Sequence, residues 1–239
     1  MNKIATYLNE HLLGEVSTAK AVRSYLSDDG GILSITPDMV ILPRVTSDIR
    51  KVMRFAWQLA EKGHALALTV RGNGTDPTGA GIGKGIVMSN AAHLNRILDV
   101  LPKEKLVHVQ SGVEAGALTE MLKWHGLFLP GLPKNVRRST IGGLIANNSA
   151  GQAGYIVDAI EKMEVVLANG DVIETGRISK REVNKRQGEQ TLEGEIYRKL
   201  EGLIEDNDDL IQKLTGQPAQ NNVGYHAITK VRHKDGSFD

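Results

Sequence analysis

The 239-residue sequence contains no cysteine, and that single absence removes several chemistries at once. Disulfide frameworks, thiolate nucleophiles, iron–sulfur clusters and cysteine-ligated zinc all need a sulfur that is not there. Aromatic residues make up only 4% of the chain, too few for a platform on which single-stranded nucleic acid would stack. Neither sign of charge dominates: 29 basic residues face 28 acidic ones, a net of +1, so the chain has no overall field for nucleic acid or an anionic membrane. Long apolar runs are also lacking. The N-terminal MNKIATYLNEHLLGEV has neither a signal-peptide core nor a spanning helix. The expected location is cytoplasmic, and peripheral association with the inner face of a membrane, or with a partner subunit, is compatible with it.

What is present suits a globular protein with a real core: 41% hydrophobic and 24% charged residues. Residues 2–13 and 17–27 read as short helices closed by Asp28-Asp29-Gly30-Gly31. MVILP (39–43) reads as a buried strand, Thr46 as the N-cap of a helix ending near Gly63, and ALALTV (65–70) as the next strand, together a β-α-β unit. GIVMS (85–89), LNRILDV (94–100) and KLVHVQ (105–110) read as strands, and 114–125 as a helix with Leu118, Met121 and Leu122 inward. EKMEVVLANGDVIETG (161–176) predicts a β-hairpin with Asn169-Gly170 as a two-residue turn. KREVNKRQGEQ (180–190) reads as an exposed polar stretch, and residues 192–214 as a helix weakened by the acidic run 205–209. No internal repeat is visible, and the class is mixed α and β.

The most informative stretch is LALTVRGNGTDPTGAGIGKGIVMSN (66–90), with six glycines between two apolar runs. Glycine loses the most backbone freedom on folding, so such a cluster suggests unusual turns or a close approach to a ligand. A nucleoside-triphosphate loop needs G-x-x-x-x-G-K-[ST]. Aligning Gly83-Lys84 puts Thr78 and Gly85 at the ends, and both fail. The dinucleotide pattern G-x-G-x-x-G fails from Gly72, Gly79 and Gly81, which put Pro77, Lys84 and Ile86 at the third glycine. A strand-loop-strand cradle built from backbone N–H groups remains, and Arg71-Gly72-Asn73-Gly74-Thr75-Asp76 suits it. A glycine-rich hairpin without a ligand is the plain alternative.

Arg71, Gly72, Gly74, Thr75 and Gly79 resemble the pyrophosphate loop R-G-x-G-T-x-x-x-G of FAD-binding domains of the vanillyl-alcohol oxidase/p-cresol methylhydroxylase type. A second segment, PGLPKNVRRSTIGGLIANNSAG, is similar to that family's other flavin-contacting stretch through Thr140, Ile141, Gly142, Gly143, Ala146, Asn147, Ser149 and Gly151. TPDMVILPRVTSDIRKVMRFA, MEVVLANGDVIETG and VGYHAITK resemble further family segments, the last one near the substrate side. The similarity is strongest to the D-lactate dehydrogenase and glycolate oxidase flavin-subunit branch.

The resemblance implies an α+β, two-subdomain FAD-binding fold over residues 36–239, preceded by an N-terminal helical segment, 1–35. It also implies a chain truncated at its C-terminal end, without the substrate domain and inactive alone. The function implied is oxidation of a small 2-hydroxy acid, D-lactate or glycolate, by hydride transfer to FAD, with an unidentified electron acceptor. Residues 71–80 contain no histidine, so non-covalent FAD is expected. The backbone amides of Gly72, Asn73, Gly74 and Thr75, with Ala80 and Gly81, are assigned to the diphosphate, within a loop that includes Asp76. Arg71 either adds charge there or anchors the loop on protein carbonyls. Pro133, Thr140, Gly143, Asn147 and Ala150 are assigned to the flavin, with Gly142-Gly143 packing backbone against its ring. No catalytic residue can be named. An enolpyruvyl-sugar reductase shares the architecture, although its serine proton donor has no counterpart here. A flavin-free binding module is the reading from another class.

Overall fold

The computed structural model describes residues 2–133, 136–215 and 228–239. Two compact units emerge: residues 1–158 with 168–170, and residues 159–167 with 171–239. The first five residues of VGYHAITK lie outside the described residues.

The first unit starts with α1 (Asn2–His11), β1 (Glu15–Ser17) and α2 (Lys20–Tyr25), then β2 (Met39–Leu42), α3 (Thr46–Glu61), β3 (Leu68–Arg71) and β4 (Ile86–Ser89). Their strands form one sheet in the order β1-β2-β4-β3. β4 runs parallel to both neighbours and β1 antiparallel to β2. The predicted β-α-β unit exists with β4 inserted between its two strands. The apolar runs MVIL and IVM are explained by burial on both faces, the usual condition of parallel strands. Met39, Ile41, Ile86 and Met88 pack with Leu8, Leu12 and Val52, whereas Val40 and Val87 point the other way, onto Leu26.

Residues 12–18 do not continue the helical reading. The chain leaves α1 and enters the sheet at β1, because Asp48 draws it in. The Asp48 carboxylate is wholly buried and accepts N–H groups from Leu13 (2.9 Å), Gly14 (3.0 Å) and Arg44 (2.9 Å). Thr46 is the first residue of α3 and Val45 occupies the cap position without a capping side chain.

The same unit continues with β5 (Ile97–Leu101), β6 (Leu106–Val109), α4 (Ala115–Trp124), α5 (Ile141–Ala146), β7 (Ala150–Gly151) and β8 (Gly154–Tyr155). β5 and β6 form an antiparallel ribbon. A second core gathers Val113, Leu118 and Leu122 with Ile141, Leu144 and Ile156.

The second unit contains β9 (Lys162–Val166), β10 (Val172–Gly176), α6 (Lys180–Gln187), α7 (Leu192–Asp206), α8 (Asp208–Thr215) and α9 (Ile228–Val231). β9 and β10 pair antiparallel with Val166 opposite Val172. The predicted two-residue turn is corrected to a three-residue one: Leu167 N–H bonds Asp171 O, leaving Ala168-Asn169-Gly170 at the tip. Gly170 takes φ +84°, the left-handed residue that ends such a loop. The stretch read as exposed and polar forms α6. Ser179 Oγ accepts the Glu182 N–H at 3.3 Å, and Val183 is buried.

Candidate functional site

The two glycine-bearing segments meet. Thr75 Oγ1 and Ser139 Oγ are 2.7 Å apart, and the Asn73 side-chain amide donates to Glu114 Oε1 (2.7 Å) and to Arg138 O (2.8 Å). Residues 137–142 are held in place by backbone bonds to residues 111–116: Ala115 N to Ser139 O, Gly116 N to Arg137 O, Ile141 N to Val113 O and Gly142 N to Ser111 O, each 2.8 Å. A wall results on which the loop after β3 can lean.

The glycines explain themselves at this contact. A Cβ on Gly72 would sit 2.0 Å from Thr140 Oγ1, so only a bare α-carbon permits the approach. Gly74 has φ +64°, and a Cβ there would lie 1.8 Å from Arg71 Nη2. The N–H groups of Asn73, Gly74 and Thr75 have no acceptor among the described residues.

Arg71 is 7% exposed and anchors the loop from beneath. Its Nη1 donates to Leu26 O (3.1 Å), Asp28 O (2.9 Å) and Gly81 O (3.2 Å). Nε is buried without a partner among the described residues. Burial lowers the guanidinium's pKa, opposed by the nearby carboxylates of Asp29 and Asp28; arginine nevertheless keeps its proton throughout the physiological range.

The Asp28–Gly31 segment, beyond closing the N-terminal helices, is a strap that completes the loop. Asp29 Oδ2 accepts the Gly79 N–H (2.8 Å), Asp29 Oδ1 the Gly31 N–H (2.7 Å), and Asp76 O the Gly30 N–H (3.2 Å). Gly30 and Gly31 lie against the carbonyls of Thr75 and Pro77, where a Cβ would come within 2.7 and 2.6 Å. Asp76 itself binds the Thr78 hydroxyl at 2.6 Å. Ala80 is exposed and Gly81 half-buried on the return of the loop.

Of the residues assigned to a flavin, Thr140 is buried and caps α5, its Oγ1 accepting the Gly143 N–H at 3.3 Å. Gly143 is exposed. The pairing of Gly142 with Gly143 as a ring-packing unit is corrected for Gly142, which faces Ser111 closely enough that a Cβ would meet its Cβ at 2.8 Å. Asn147 is the exposed C-cap of α5, its N–H bonding Gly143 O. Asn148, passed over in the sequence, takes φ 46° and leaves Oδ1 buried without a partner among the described residues. Asparagine after a short helix is the signal that could have found it. Ala150 pairs with Tyr155 across β7 and β8. Pro133 stands apart with Gly116, Leu132 and Val136 around a cavity of about 240 Å³, below the usual size of a ligand pocket.

This arrangement has the chemistry that a diphosphate needs: three N–H groups without an acceptor among the described residues, in a loop whose Gly72 and Gly74 let Thr140 and the buried Arg71 cation pack directly against it. No helix of the described residues is long and apolar enough to cross a membrane.

The chain is similar to several known proteins. The chain is 29% identical over 219 residues to the D-2-hydroxyglutarate dehydrogenase of Pantoea ananatis, covering 88% of this chain and 21% of that protein. It is 33% identical over 166 residues to that of Escherichia coli K12, covering 68% of this chain and 16% of the relative. Glycolate oxidase subunit GlcD of Bacillus subtilis is 34% identical over 145 residues, covering 59% and 30%. The chain thus spans about a fifth of the length of the dehydrogenases it matches. Among solved structures, 6-hydroxy-D-nicotine oxidase of Arthrobacter nicotinovorans superposes with a TM-score of 0.58 at 25% identity over 69% of this chain and 36% of its own. An alkyldihydroxyacetonephosphate synthase shares the fold, with a TM-score of 0.63 at 20% identity over 73% of this chain and 34% of its own. The fold is that of the p-cresol methylhydroxylase-type flavoproteins. Residues 37–176, more than half of the chain, match the FAD binding domain profile, and the chain belongs to that family, with FAD as its cofactor.

Proposed function

We propose that this chain is the FAD-binding portion of an oxidoreductase that oxidises a small 2-hydroxy acid. The observation that carries the reading is the junction of residues 72–75 with residues 139–140, where three backbone N–H groups have no acceptor among the described residues and lie over a buried arginine. In this reading Asn73, Gly74 and Thr75 hold the diphosphate through their N–H groups, Ala80 and Gly81 let it approach, Gly72 lets Thr140 close against the loop, and Arg71 fixes the loop and supplies charge from below. Thr140 and Gly143 orient the ring at the start of α5, and Asn147, Asn148 and Ala150 follow it along the far end. The absence of histidine from residues 71–80 supports a non-covalent cofactor. Residues 1–35 act as an N-terminal segment whose Asp28–Gly31 strap shapes the loop of the flavin domain, 36–239.

The chemistry that FAD supplies when bound is acceptance of a hydride from the carbon bearing the hydroxyl. The chain's share is to bind, to orient and to set electron affinity by hydrogen bonding. The substrate class follows from relatives named for D-2-hydroxyglutarate and glycolate, both 2-hydroxy acids like D-lactate. The relative named as an oxidase subunit supports association with a partner subunit.

Titration of the purified chain with FAD tests the reading. The expected result is a perturbed visible spectrum and quenched flavin fluorescence saturating at one FAD per chain. A colourless protein with no such change would leave only the flavin-free binding module. For the substrate, a protein carrying this chain and a substrate domain, loaded with FAD and mixed without oxygen with D-2-hydroxyglutarate, D-lactate or glycolate, is expected to lose its flavin colour with one of them.

A further inference from the structure

Resting on the FAD reading, we infer that Arg138 is a second, solvent-side cation for the diphosphate, set on the wall opposite Arg71. Its backbone is fixed at the rim of the cradle, since the Asn73 amide donates to Arg138 O at 2.8 Å. The next two residues make the contacts of the cradle itself: Ser139 with Thr75, and Thr140 with the bare α-carbon of Gly72. The Arg138 side chain is exposed and has no partner among the described residues, whereas its neighbour Arg137 reaches Glu120 at 3.3 Å.

Charge is what this place needs. Arg71 Nη1 is committed to three carbonyls, and its positive charge is answered by Asp28 and Asp29. Asp76 lies in the loop, and the Glu114 carboxylate touches the same Asn73 amide that holds Arg138. A polyanion entering four carboxylates with one buried cation is poorly compensated. A guanidinium on Arg138, whose backbone sits at the rim, would supply both charge and a fork of donors suited to phosphate oxygens.

The test is binding of FAD, ADP and riboflavin to the chain and to Arg138→Gln, Arg138→Lys and Arg137→Gln. Arg138→Gln is expected to weaken FAD and ADP about tenfold, the size of one charge-assisted contact. It should also flatten the salt dependence of FAD binding and leave riboflavin, which has no phosphate, unaffected. Arg138→Lys should recover part of the loss, and Arg137→Gln should match the wild type. Unchanged FAD affinity in Arg138→Gln, or an equal loss with riboflavin, would overturn the assignment while the cofactor reading stands. A wild-type chain that binds neither FAD nor ADP would overturn both.

Discussion

Thr75 and Ser139 share a hydroxyl–hydroxyl hydrogen bond of 2.7 Å although 64 positions separate them in the chain. Through it a glycine loop after a strand and the lead-in to a short helix become two sides of one slot. The consequences can be measured residue by residue.

Gly74→Val should abolish FAD binding and also lower the melting temperature. At φ +64° a β-branched residue is strained by about 1–3 kcal/mol. Its Cβ would also displace the Arg71 guanidinium that binds Leu26, Asp28 and Gly81. Unchanged FAD affinity in this variant would remove the loop from the binding site.

Gly72 and Thr140 should couple. Gly72→Ala alone meets the threonine hydroxyl at 2.0 Å, and Thr140→Ala alone removes the cap of α5, worth about 1 kcal/mol. Chemical denaturation of both single variants and the double should show the double losing at least about 0.5 kcal/mol less than the sum. Strict additivity would mean that the two segments do not touch in solution.

Asp29→Ala should weaken FAD binding more than it lowers stability. The carboxylate holds Gly79 and Gly31 N–H groups at the edge of the loop, and Asp29 belongs to none of the three hydrophobic clusters. The expected readout is faster proteolysis within residues 75–81 together with a raised Kd for FAD. Equal protease resistance would argue that the strap is dispensable.

Asp48→Ala should have the opposite profile, a large loss of stability. Three N–H groups lose a buried charged acceptor at once, and each buried unsatisfied donor costs about 1–3 kcal/mol. Urea unfolding should show a loss of at least about 3 kcal/mol, or failure to fold. A change under about 1 kcal/mol would mean that solvent replaces the carboxylate.

Some elements were legible because one local signal sufficed. The run MVIL, the amphipathic helix after Val45 and the hairpin around Gly170 all announced themselves by periodicity or turn chemistry. Others carried a signal that was outweighed. Ser179 and Glu182 have capping-box spacing and Val183 is the buried contact of α6, yet the surrounding charge made the stretch read as exposed. The two-residue turn failed for a different reason: Asn-Gly specifies the left-handed glycine, whereas the pairing of Val166 with Val172 sets the loop length.

The order of residues alone determined that two glycine-bearing segments exist, that the first is not a nucleotide P-loop, and that their pattern is that of an FAD-binding domain, because glycine spacing records backbone constraints that hold wherever the segment lies. Only the folded chain decided that Gly72 rests on Thr140, that Arg71 spends one amino group on three carbonyls, and that the Asp28–Gly31 strap belongs to the loop. Those are contacts between positions distant in sequence, and no local propensity encodes a distance that the sheet and the packed cores impose.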